Sequence, residues 1–236
     1  MRALVLALQL MTRLPLPQVR ADEAGFAAAI RWFPAAGLLV GGVVAGAVSL
    51  GARVDPWAGA LCGLLAWVAV TGALHLDGLG DMADAAGAAH GARARLSAVM
   101  ADPHIGSFGV TAIVLQLLTK LLLLRLALGS VPVGSLIAVT LVARIGPLAW
   151  TLALPPLHEG LASRFRAGLA PWHLLAWGGV ALGLGLWQPA LLAVFALVPL
   201  WGWWLRARIG GISGDGHGAG IELIESGLLA ALVLAR

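Results

Sequence analysis

Charge is what this sequence has least of. Only 11% of its 236 residues are charged, against 60% hydrophobic, a balance that excludes an ordinary soluble globular domain and puts the chain in a bilayer. Cysteine is nearly absent. Cys62, inside an apolar run, is the only one, so no intramolecular disulfide can form and no redox compartment can be read from it. The opening MRALVLALQLMTRLPLP has a basic start and a short apolar run but no small-residue cleavage site before Arg13 and Pro15. It reads as an interfacial helix leading into the first span, with Arg2 and Arg13 at headgroup level, and not as a cleaved signal. No internal repeat, low-complexity tail or linker divides the chain, which is expected to be a single transmembrane domain, 1–236. The net charge is only +4 and the basic residues sit in short loops. Their expected work is therefore to set topology and to meet anionic groups, with no nucleic-acid partner.

What is there in quantity is apolar helix. Runs near span length fall at about 33–51, 57–74, 109–128, 133–153, 172–186, 188–204 and 219–235, which predicts an all-α polytopic integral membrane bundle of about six to seven transmembrane helices. The stretch from Trp172 to Trp204 holds two spans if it breaks at Trp187, Gln188 and Pro189, where proline and its predecessor disfavour helix. The loops sort by charge. Ten arginines (Arg2, Arg13, Arg20, Arg31, Arg93, Arg95, Arg164, Arg166, Arg206 and Arg208) occupy one set of loops, and Arg53 alone occupies the alternate set. The positive-inside rule then predicts a multi-pass protein of the bacterial cytoplasmic (inner) membrane with its charged loops in the cytoplasm.

The few acidic residues are concentrated. Four of eleven fall in HLDGLGDMADAAGAAHGARARLSAVMADPHIGSFG, residues 75–109. Asp77, Asp81 and Asp84 stand at i, i+4 and i+7, so on a helix their carboxylates share one stripe. Like charges this close need a neutralising partner, which makes them candidate ligands of a hard divalent ion, Mg²⁺; the alternative is a solvated face paired with Arg93 and Arg95. Asp102, before Pro103, is either functional or a cap for the next helix. In GGISGDGHGAGIELIESG the glycines predict a loop ending at a helix, and Asp215 and Glu222 share a face only if that helix starts early. Glu222 and Glu225 are either further acidic ligands or ion-pair partners of Lys120 and Arg144, which lie deep within spans and require partners there. Arg125, near a span end, can snorkel.

His75 lies on the far side of the aspartate stripe. His104 and His217 are either solvated or near phosphate. His90, His158 and His173 show no ligand spacing, so zinc is not expected, and the glycine loop matches no Walker or dinucleotide pattern.

HLDGLGDMADAAG, MADPHIGSFG and GGISGDGHGAGIELIE, in that order, resemble the cobalamin synthase (adenosylcobinamide-GDP ribazoletransferase) family. The likeness extends to LQLMTRLPLP, RWFPAAGLLVG, Lys120 in LLTKLLL, Arg144 in ARIGPL and HEGLASRF. The resemblance implies a Mg²⁺-dependent membrane transferase joining adenosylcobinamide-GDP to α-ribazole or its 5′-phosphate, with release of GMP. It further implies Asp77, Asp81, Asp84 and Glu222 as metal ligands, and Asp102, Asp215, Lys120 and Arg144 as catalytic groups. The chain departs from the family at Pro103 and His104, where serine and arginine are frequent. The competing readings are another membrane transferase on a pyrophosphate-activated substrate, of the CDP-alcohol phosphotransferase or prenyltransferase kind, and an ion-coupled transporter. The first two match less well, because D-G-x-x-D-x-x-D lacks the A-R and second half of the CDP-alcohol motif and no second aspartate-rich motif follows. A transporter would hold its carboxylates near midplane.

Overall fold

The computed structural model describes residues 1–20, 22–88, 104–157 and 160–235. Among them the chain is helical throughout, with an isolated bridge between Pro156 and Ile212. The elements are α1 (Arg2–Met11), α2 (Glu23–Ala27), α3 (Phe33–Gly51), α4 (Pro56–Thr71), α5 (Leu74–Ala88), α6 (Ser107–Ala127) and α7 (Gly134–Ala143). They continue with α8 (Gly146–Ala153), α9 (Leu161–Arg166), α10 (Pro171–Trp187), α11 (Val194–Trp204) and α12 (Gly214–Leu234).

Five stretches are long and apolar enough to cross a membrane: Glu23–Gly51, Ser107–Ala127, Gly134–Ala153, Pro189–Ile209 and Gly214–Leu234. The bent pair α4 and α5 makes a sixth. Helix α10, at 17 residues, rises about 25 Å. Its first residues follow Gly168, which abuts the backbone of Ala27 and Ala28, and its last, Trp187, lies against Gly134. Five spans, or six with the bent pair, make the expected polytopic helical bundle, at the lower end of the expected number.

Local chemistry explains where the helices stop. Asp55 caps α4 by accepting from the Trp57 and Ala58 amides (2.7 and 3.3 Å), with Pro56 in the first turn. The expected span 57–74 ends early, because Gly72 and Ala73 both take left-handed backbone (φ 61° and 58°). Glycine adopts this freely and alanine at a cost of about 1 kcal/mol. The result is an 85° bend that lays α5 across the end of α4. The expected span 133–153 is broken in two at Arg144–Ile145, just ahead of Gly146 and Pro147. The break at Gln188 and Pro189 is present as expected.

Helix packing relies on glycine. Gly37 and Gly41, one turn apart on α3, face α7 so closely that a Cβ at either would fall on Thr140 and its neighbours; the Thr140 hydroxyl donates to the Gly37 carbonyl at 2.8 Å. Small residues at i and i+4 let membrane helices approach in this way. Leu115, Leu118 and Leu122 on α6 point away from the protein, a surface stable only against lipid.

We expect Gly37→Ala to lower stability in detergent by about 2 kcal/mol or more, through forced separation of α3 and α7. Gly42→Ala, with nothing within 4 Å, should change it by less than about 0.5 kcal/mol. Unfolding titrations of the two variants check this.

Candidate active site

Several helix ends meet at one membrane face. Asp84 on α5 accepts from the amides of Gly106 (2.7 Å) and Gly109 (2.9 Å), closing the N-terminal end of α6 where unpaired N–H groups collect. A Cβ at Gly106 or Gly109 would fall on that carboxylate. Helix α12 begins at Gly214, earlier than expected, because Ser213 caps it by accepting from the Gly216 amide at 3.0 Å. The glycine-rich stretch is thus helix, and Asp215 lies in its first turn. This turn abuts α5 at Gly78, where a Cβ would come within 2.9 Å of the Asp215 Cα and carbonyl oxygen.

The outcome is a group of four aspartates drawn from two helices. Asp77 is exposed and Asp81 and Asp84 half-buried, and the charges bearing most on Asp81 are those of Asp215, Asp77 and Asp84. Sequence spacing grouped the first three; the early start of α12 adds Asp215. Among the described residues no three acidic, histidine or cysteine side chains already converge on a metal position. Hard carboxylate oxygens are nonetheless the donors Mg²⁺ takes, and it commonly uses one or two of them beside phosphate and water oxygens, so this set fits that ion. Asp77 and Asp215 line a partly open cavity of about 130 Å³ walled by α1, α3, the first turn of α5, α9 and the first turns of α12. Asp102, Arg93, Arg95, His90 and His158 lie outside the described residues. His104 is exposed, three residues ahead of α6.

The other predicted site residues gather elsewhere, deeper in the bundle. Lys120 Nζ is 2.6 Å from Glu225 Oε2 and 2.8 Å from Glu222 Oε2, and Arg144 Nη1 is 2.8 Å from Glu225 Oε1. All four are buried, Arg144 and Glu225 at 0% exposure. Lys120 also sits 4.2 Å over the Trp67 ring, and Arg144 Nη1 donates to the Thr140 carbonyl. Gln116 Nε2 lies 2.8–2.9 Å from Glu222 Oε2, the Glu222 carbonyl and Ser226 Oγ. Asp215 and Glu222 do fall on related turns of α12, but the Glu222 carboxylate is held by Lys120 and Gln116. The structure therefore shows the ion-pair alternative for Glu222, Glu225, Lys120 and Arg144. Gln116 and Ser226 escaped the sequence reading, although each stands four residues from a charged partner, Lys120 or Glu222, in an apolar span.

The model of the family described as cobalamin-5-phosphate synthase matches residues 3–233. The chain belongs to that family. It is 56% identical to an adenosylcobinamide-GDP ribazoletransferase of Novosphingobium aromaticivorans, over 99% of this chain and 97% of that protein. A protein of the same name from Thiobacillus denitrificans is 48% identical, over 100% and 95%, and one from Laribacter hongkongensis 50%, over 100% and 98%. No solved structure matches. Membership of the cobalamin-5-phosphate synthase family makes the chain an enzyme and sets aside the transporter and the other transferase readings.

Removing one member of a buried charge network strands its partners, at a cost of about 3–5 kcal/mol, whereas deleting a whole pair costs much less. Glu225→Ala should accordingly unfold at far lower denaturant in micelles than Lys120→Met combined with Glu222→Met, a ranking that denaturant titration of the two proteins checks.

Proposed function

We propose that the protein transfers the cobinamide-phosphate moiety of adenosylcobinamide-GDP to α-ribazole or its 5′-phosphate, giving adenosylcobalamin or its 5′-phosphate and GMP in the last steps of cobalamin assembly. The observation that carries this reading is the convergence of Asp77, Asp81, Asp84 and Asp215 at one membrane face, in a chain 56% identical over nearly its whole length to a protein named for that transfer. Loop-arginine parity supports a cytoplasmic location for this face and an inner-membrane setting for the protein. Both substrates are large and water-soluble in part, which suits chemistry at an interface and not at midplane.

In the proposed step the ribazole hydroxyl oxygen attacks the phosphorus bonded to cobinamide. A P–O bond to it forms as the bond to the GMP oxygen breaks. The hydroxyl proton leaves to a general base, for which Asp102 is our candidate, and the electron pair of the broken bond departs on GMP. Asp77, Asp81, Asp84 and Asp215 are the residues that would hold Mg²⁺; the ion, when bound, supplies neutralisation of pyrophosphate charge. Asp84 has in addition a positioning part, since it fixes the start of α6 immediately after the segment that carries Asp102. Lys120, Arg144 and Glu222 act through the buried network, which holds α6, α7 and α12 in the register that presents Asp215 to α5.

The test is reconstitution of the purified protein in lipid with adenosylcobinamide-GDP, α-ribazole 5′-phosphate and Mg²⁺, with GMP and a corrinoid product expected; an intact preparation that releases neither would overturn the reading. In the same assay Asp81→Asn should lower turnover by at least about a hundredfold while eluting as a folded protein. Near-normal turnover would remove Asp81 from the site.

A further inference from the structure

Away from the aspartates, a larger cleft lies between α10 and α11, with Ala149 of α8 at its back. It measures about 450 Å³, within the roughly 300–1,000 Å³ of sites that take a small molecule. Both α8 and α11 belong to stretches long and apolar enough to cross a membrane, so the cleft sits among membrane-spanning helices. Helices α10 and α11 meet at their connection, where Leu192 fills the place a Gly185 side chain would take. Beyond that they scarcely touch, which leaves a wedge between them. Its walls, among them Leu175, Leu182, Phe195 and Pro199, are apolar, and water has no bond to make there.

The charge at the open end is of one sign. Helix α8 stops at Ala153, one turn beyond Ala149, and two guanidiniums converge on its last carbonyls: Arg206 Nη2 donates to the Ala153 oxygen at 2.7 Å and Arg166 Nη1 to the Leu154 oxygen at 3.1 Å. Both arginines are exposed, and neither forms a salt bridge among the described residues. Each guanidinium therefore keeps N–H groups for a further acceptor.

We propose that the cleft holds an anionic phospholipid, with acyl chain between α10 and α11 and headgroup phosphate bonded by Arg166 and Arg206. Hydrocarbon matches apolar walls at membrane depth, and a phosphate matches two arginines one turn above them. The dimensions favour a lipid chain over a second protein helix. From Leu174 to Leu182 the cleft follows α10 for about 12 Å, so its mean section is about 40 Å², roughly half that of a helix about 10 Å across. The lipid also bears on the aspartate face. Trp150, next to Ala149, donates to the Val198 carbonyl at 2.8 Å and packs where a Gly220 side chain would stand, and Thr151 Oγ1 lies 3.1 Å from His217 Nε2. A chain seated in the cleft thus braces the helix on which the first turns of α12 rest.

The full chain, purified in a non-ionic detergent, titrated with phosphatidylglycerol or phosphatidylcholine and weighed by native mass spectrometry, tests the idea directly. The wild type should retain one phosphatidylglycerol, at least about tenfold more tightly than phosphatidylcholine, as two arginines at a membrane surface allow, and should unfold at a higher temperature with it. A side chain at Gly179, which lines the cleft, meets nothing within 4 Å, so Gly179→Phe puts a ring into the cleft without a clash and should lose both the lipid and the thermal shift. Gly183→Phe, equally unobstructed but outside the cleft, should keep both. Arg166→Gln combined with Arg206→Gln should bring the two lipids to equal affinity, and Gly179→Phe carries the test alone if that double variant does not fold. Retention by Gly179→Phe equal to that of the wild type, no preference between the lipids in the wild type, or a dimer in place of the lipid-bound monomer would overturn the assignment.

Discussion

Glu225 places a carboxylate near the middle of a 21-residue apolar helix, and the bundle is arranged around the need to satisfy it. One oxygen takes Lys120 from α6, and the other takes Arg144 from the break between α7 and α8. An isolated charge at this depth is expensive, so these contacts permit little sliding of α6, α7 or α12 against one another. Lys120 reaches Glu222 as well, and Trp67 of α4 lies under it, so a fourth helix is drawn in. The break at Arg144 fits this constraint, because Arg144 is the C-terminal cap of α7 and its Nη1 still bonds the carbonyl of Thr140 one turn back.

That register decides the geometry of the aspartates. Asp215 stands ten residues before Glu225, about 15 Å along the helix axis, and its position against α5 follows from where the network locks α12. Contact there is backbone on backbone: Gly78 is the residue whose missing Cβ admits the first turn of α12. On the opposite flank Asp84 is tied to the amides that open α6. The stripe of three therefore divides its labour, with Asp84 anchoring a helix end and Asp77 and Asp81 flanking Asp215.

The helical membrane architecture and the stripe were legible because they depend on local sequence: apolar run length, and carboxylates at i, i+4 and i+7. The break at Gln188 and Pro189 was legible for the same reason. Other features hang on long-range fit. Lys120 and Glu225 are 105 residues apart, and nothing in either segment states that they meet; the reading could only require that each find a partner. The start of α12 was obscured by its glycines, which favour loop, while the deciding signal was Ser213 as a cap followed by helix packed tightly on α5 and Trp150. The bend after α4 had a cue in Gly72, but no residue preference marks the left-handed Ala73 that completes it.

The two charge clusters, lying at different depths, also constrain where the positive charge for a pyrophosphate can come from. In the interior, Lys120 and Arg144 balance Glu222 and Glu225 one for one, so the network is neutral as a unit and has no cation to spare. Pulling Lys120 or Arg144 toward a substrate would strand a buried carboxylate, a cost comparable with that of unfolding a marginal domain. The charge offset for the transfer proposed above would therefore come from groups outside this network, including the divalent ion that we propose the aspartates hold. A self-neutral core and an acidic group of aspartates are then two parts of one arrangement: the first fixes the helices with its own charges matched, and the second is held in place by that register, free for the role proposed above.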